Sequence, residues 1–69
     1  MEWHEVSSSA IARVAYDQST MTLTVEWKVA GTYQYFDVPE PIFIELKNAP
    51  SVGAFVATSI KPAYRYSKM

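Results

Sequence analysis

The stretch GTYQYFDVP, Gly31 to Pro39, decides how this chain folds. It separates Tyr33 and Tyr35 by one residue, so in a strand both rings point to one side and Gln34 to the other. The side they take depends on the turn before them, because a slip of one residue reverses every side chain. A two-residue primed turn at Val29 and Ala30 requires positive φ at both positions, which a β-branched valine resists. A type I turn followed by Gly31 in the left-handed region asks for positive φ only where there is no Cβ. That turn pairs Lys28 with Thr32, Trp27 with Tyr33 and Val25 with Tyr35. Both tyrosines then join the apolar face, and Gln34 points to solvent.

Toward the N-terminus, Thr22–Val29 alternates strictly, with Leu23, Val25, Trp27 and Val29 against Thr22, Thr24, Glu26 and Lys28. Ala10–Tyr16 repeats the pattern through Ala12, Val14 and Tyr16, and DQSTM between them opens on an aspartate suited to a turn. Placing Tyr16 opposite Leu23 brings Val14 to Val25 and Arg13 to Glu26. Toward the C-terminus the period changes. In VPEPIFIELKNAPS, Pro39 and Pro41 suit a helix start, Glu40 its first turn, and Ile42, Phe43, Leu46 and Ala49 form one stripe. Ser51 caps a second short helix that directs Val52, Phe55, Val56 and Ile60 inward and ends at Pro62. The expected fold is α+β, a three-stranded antiparallel β-meander with two short C-terminal helices packed on one face.

A chain of 69 residues, 49% apolar, suffices for one small core that buries roughly 60% of the unfolded surface. Cysteine is absent, so neither disulfides nor thiolate metal sites brace it, and a reducing cytoplasm is the expected setting. MEWHEVSSS lacks the features of a secretory leader, and no apolar run approaches the roughly 18 residues of a membrane span. Catalytic signals are missing too. His4 is the only histidine, Ser7–Ser9 lacks a glycine-flanked nucleophile turn, and Asp17 and Asp37 read as turn residues. Glu26 is occupied by Arg13, and two glycines, Gly31 and Gly53, cannot make a phosphate loop. The expectation is a non-enzyme without metal, cofactor or membrane.

Charge is unevenly spread. Residues 1–60 hold three cations and all seven acids, whereas 61–69, KPAYRYSKM, hold Lys61, Arg65 and Lys68 and no acid. Cations interleaved with tyrosines neutralise phosphate and stack on bases. Lys61, Tyr64, Arg65 and Lys68, with Arg13, are therefore the candidate nucleic-acid contacts.

The ordered set Ser8–Ser9, Ile11, Tyr16–Asp17, LTVEW, GTYQYFDVP, Asn48–Ala49, PSVGAF, Ile60–Lys61, Tyr64 and Tyr66 resembles the KTSC domain. This small family is named from the C-terminus of some lysyl-tRNA synthetases and marked by a central Tyr-x-Tyr. The resemblance places one domain at 7–66, with 1–6 as an N-terminal extension and 67–69 as a tail, and its attachment to a synthetase implies an association with RNA. At Ala54 and Ala57 this chain is apolar where the family pattern carries polar or basic residues. With Ile44, opposite the buried stripe of the first helix, these positions define a second candidate, a protein-binding surface for a partner or another copy of the chain. An exposed edge of the three-stranded sheet would serve the same purpose.

Overall fold

The computed structural model describes residues 2–69. The alternating segments form β1 (Glu2–Glu5), β2 (Ile11–Asp17), β3 (Thr22–Trp27), β4 (Gly31–Tyr35) and β5 (Tyr66–Lys68), with α1 (Glu40–Lys47) and α2 (Val52–Phe55) between β4 and β5. The sheet is five-stranded, antiparallel and ordered β1-β2-β3-β4-β5. The expected meander of three strands is its centre. Residues 2–5, read from sequence as an extension, pair with β2, and the basic tail pairs with β4. The edges of β2 and β4 are therefore covered, and the exposed edges belong to β1 and β5 instead.

The first hairpin has the expected register, Tyr16 opposite Leu23, Val14 opposite Val25 and Arg13 opposite Glu26. Asp17 Oδ1 accepts from Ser19 N at 3.0 Å and Ser19 Oγ at 2.7 Å, which closes the turn. Beyond Arg13 the ladder shifts at Ala12, and Ile11 comes to lie opposite Trp27. A regular strand would have carried Ala12 to the inner face. The bulge puts Ile11 there instead, wholly buried, and Lys28 N donates to Ala10 O at 2.8 Å. Ser8 Oγ accepts from Ala10 N and Ile11 N, fixing the entry to β2.

Gly31 takes the positive φ, +104°, but the second hairpin pairs Trp27 with Gly31, Val25 with Tyr33 and Leu23 with Tyr35. The expected register is thus displaced by two residues. Once Lys28 N is bonded to Ala10 O, Lys28 belongs to the loop with Val29 and Ala30, and pairing resumes one position earlier on each strand. A shift of two preserves parity, so the tyrosines keep the expected face. Tyr35 is 1% exposed, whereas Tyr33 is only half-buried against the same core.

Both helices cover that face. Phe43 and Leu46 from α1, then Val52, Val56 and Ile60, close over Val14, Leu23, Val25 and Tyr35. Pro39 precedes α1 in extended conformation, and Asn48 Nδ2 donates to Ile44 O at its end. Ser51 caps α2 by accepting from Ala54 N. The second helix departs from expectation after Phe55, where Val56–Ile60 widens into a π-helical turn closed by Lys61 N to Val56 O at 2.8 Å. Its inward residues remain four apart, so Val52, Val56 and Ile60 stay aligned over the sheet. No helix among the described residues is long and apolar enough to cross a membrane.

Candidate nucleic-acid interface

The pairing of β5 with β4 sets Tyr66 opposite Tyr35 and Lys68 opposite Tyr33. Opposed residues share a face, so the aromatic side of β4 continues onto the tail. The Tyr66 ring lies 5.8 Å from that of Tyr33 and 5.9 Å from that of Tyr35, and it remains 58% exposed. Lys68 Nζ stands 5.8 Å from the Tyr33 ring centre, and Lys61 Nζ 6.0 Å from that of Trp27. Trp27 and Tyr33 are diagonal neighbours across β3 and β4. The result is a strip of rings along one sheet edge with an ammonium group at each side, where cations lie over electron-rich faces.

Beneath the strip lies the buried core. Tyr35 is held well inside, and burial pushes its hydroxyl pKa up, an effect opposed by a hydrogen bond with Trp27 and aided by neighbouring Tyr33 and Tyr66. At the far end of the same face Tyr16 donates to Val38 O and stacks on Phe43 at 4.9 Å. Its pKa is raised by burial first, then by the charges of Glu40 and Asp17. Asp17 is held below the usual carboxylate range, chiefly by the Ser19 hydroxyl.

Of the expected contacts, Lys61 and Lys68 reach the strip. Tyr64 is half-buried and packs on the core, and Arg65 pairs with Asp37 across the tail, Nη2 to Oδ2 3.0 Å, with both side chains largely exposed. Tyr64, Arg65 and Tyr66, with Phe36, line a shallow cavity of about 560 Å³ adjoining the strip. Arg13 is not part of this assembly. It lies on the opposite face of β2, its Nε 2.9 Å from Glu26 Oε1 and its guanidinium 4.1 Å from the Trp3 ring. Trp27, Tyr33 and Tyr66 were not singled out as contacts from sequence. The alternation of Tyr64, Tyr66 and Lys68 with Arg65 and Ser67 was the available signal, since it marks the tail as a strand that continues a face.

The candidate protein-binding positions divide. Ile44 is 47% exposed and opens into a groove of about 380 Å³ with Ala49, Pro50 and Phe55. Ala54 and Ala57 are exposed but do not line that groove. His4 packs edge-on to Phe43 at 5.6 Å, and among the described residues no group of three acidic, histidine or cysteine side chains could hold a metal.

Fold and site together define a small α+β domain whose C-terminal strand completes an aromatic, basic sheet edge. The chain belongs to the KTSC domain family, which it matches over residues 7–64. It is 36% identical over 61 residues to a lysine–tRNA ligase of Nostoc punctiforme, covering 88% of this chain and 11% of the ligase. The chain thus spans about a tenth of the length of such ligases. It is also 38% identical over 60 residues to a protein of Tsukamurella paurometabola, covering 87% of this chain and 90% of that one. The crystal structure of a KTSC domain protein from Yersinia pestis superposes with a TM-score of 0.95 at 34% identity, covering 99% of this chain and 96% of the other.

Proposed function

We propose that this chain is a small non-catalytic binding module that associates with RNA through the strip formed by Trp27, Tyr33, Tyr66, Lys61 and Lys68. The observation that carries the reading is the placement of Lys68 and Lys61 over the rings of Tyr33 and Trp27, which makes one surface suited to both phosphate and base. The similarity to lysine–tRNA ligases supports RNA as the partner class. The rest of the molecule carries net negative charge, so attraction must come from this edge.

Fluorescence anisotropy with a labelled transfer RNA transcript tests the reading. Each neutralised phosphate of a single strand contributes a slope of about −0.7 in log affinity against log salt, so the two lysines of the strip give roughly −1.4. Lys61→Ala and Lys68→Ala should each flatten that slope, whereas Tyr66→Ala should weaken binding and leave the slope nearly unchanged. Absence of binding at about 50 mM salt, where electrostatic attraction is strong, would dismiss the RNA reading.

A second reading has its own observation, the half-exposed Ile44 above an apolar groove. In that case the module binds a protein or a second copy of itself. Light scattering that shows a dimer in the parent and a monomer in Ile44→Glu would favour it.

A further inference from the structure

The lining of the cavity beside the strip is rich in aromatic rings and includes neither strip lysine. Three rings line it, Phe36, Tyr64 and Tyr66, with Arg65 among them. Its walls are fixed by main-chain bonds. Phe36 N donates to Arg65 O at 2.9 Å, and Tyr64 N donates to Ile60 O at 3.1 Å, which ties one wall to β4 and the other to the π-helical turn. With a volume of about 560 Å³ it is a shallow depression open to solvent, suited to a flat group laid against its wall rather than to an enclosed ligand. Tyr66 belongs to the cavity and to the strip at once, because its ring also meets Tyr33 and Tyr35.

We propose that this cavity receives a single unpaired nucleobase, stacked against Tyr66 and Tyr64, while Arg65 meets the adjoining phosphate. The inference rests on the RNA reading of the neighbouring strip and narrows it to single-stranded segments. A base in a duplex has both faces covered and cannot enter, whereas an unpaired base presents a flat π-surface to rings already in place. Arg65 is available for such a contact. Its partner Asp37 is 69% exposed and Arg65 itself 79%, and an ion pair this open exchanges readily for a phosphate that accepts two hydrogen bonds at once. The guanidinium stands 5.8 Å from the centre of the Phe36 ring, and both residues belong to the cavity's lining. Asp37 repels phosphate on its own side, so the strand should leave the cavity toward Lys68.

The test is a titration of the full chain, followed through its aromatic NMR resonances, with adenosine monophosphate, a ten-nucleotide single-stranded RNA, and the blunt duplex of that RNA. Ring resonances of Phe36, Tyr64 and Tyr66 should shift with the mononucleotide and the single strand, and much less with the duplex. Tyr66→Ala, at an exposed position, should lower single-strand affinity by roughly five- to a hundredfold, the usual effect of removing one stacking ring. If RNA binds and Tyr66→Ala weakens it, but the mononucleotide and the single strand leave the Phe36 and Tyr64 rings unmoved, the cavity inference fails and the strip reading stands. A duplex bound as tightly as the single strand has the same consequence. If no RNA binds at all, both fall, and a response of the same rings to a proline-rich peptide would assign the cavity to a protein ligand.

Discussion

Tyr35 and Tyr33 look alike in the sequence and differ in what they support. Tyr35 is enclosed by the core, whereas Tyr33 is only half-buried against it with Lys68 over its ring. Tyr35→Ala should therefore cost about 3–5 kcal/mol, as other buried aromatic truncations do, and Tyr33→Ala about half as much. Urea unfolding of the two variants measures the difference. The same burial gives the protein an alkaline limit. The hydroxyls of Tyr16 and Tyr35 ionise at higher pH in the folded chain than in the unfolded one, so their contribution is complete below about pH 10. It is lost as pH rises through the folded values, because the unfolded chain releases its protons first. The urea midpoint should fall above pH 10, and in Tyr35→Phe it should fall less steeply.

At the scale of elements, β1 is an edge strand that places the Trp3 side chain on the sheet's outer face. Ala15 and Thr24 lie on that face, which no helix covers, yet are 0% and 1% exposed. Trp3 pairs with Ala15, and its ring carries the Arg13 guanidinium, itself bonded to Glu26. The outer face is thus dressed by side chains of the sheet's own strands, Trp3, Arg13 and Glu26. Glu26→Gln should cost only about 0–1 kcal/mol, as for other partly exposed ion pairs, although the geometry is good. Trp3→Ala should cost more, about 2 kcal/mol, because it uncovers apolar surface as well as removing a ring. Hydrogen exchange of the Ala15 and Thr24 amides should accelerate in Trp3→Ala and stay near the parent rate in Glu26→Gln. The sequence carries little sign of β1. Glu2–Glu5 is four residues long, and its Glu2 and His4 occupy the inner face where an apolar pair would have announced a strand.

The whole molecule has one core and a Cα radius of gyration of 10.5 Å, and for 69 residues a stability of about 3–10 kcal/mol is expected. Trp3 reports on the outer face and Trp27 on the inner one, next to the candidate RNA strip. If the two faces share one cooperative unit, fluorescence of Trp3→Phe, which reports Trp27 alone, and far-ultraviolet circular dichroism should give one midpoint. Separate midpoints would show that β1 or β5 opens before the core. The latter would also bear on RNA binding, since Tyr66 and Lys68 reach the strip only while β5 is paired.

What the sequence determined by itself is parity and period. Alternation put Val14, Leu23, Val25, Tyr33 and Tyr35 on one face, the change of period marked both helices, and the first hairpin could be aligned because Arg13 and Glu26 matched when its apolar residues did. The KTSC resemblance was legible in the same ordered residues, and Lys61 and Lys68 in the tail's charge. Tertiary structure decided the rest. The two-residue displacement of β4, the bulge at Ala12, the pairing of residues 2–5 and 66–68, and the separation of Arg13 from the tail all depend on hydrogen bonds between distant segments. A period-two pattern is unchanged by a shift of two, so local residues fix the face of a strand but not its register or its neighbour. Those are chosen by which backbone groups remain unpaired when the chain closes on itself.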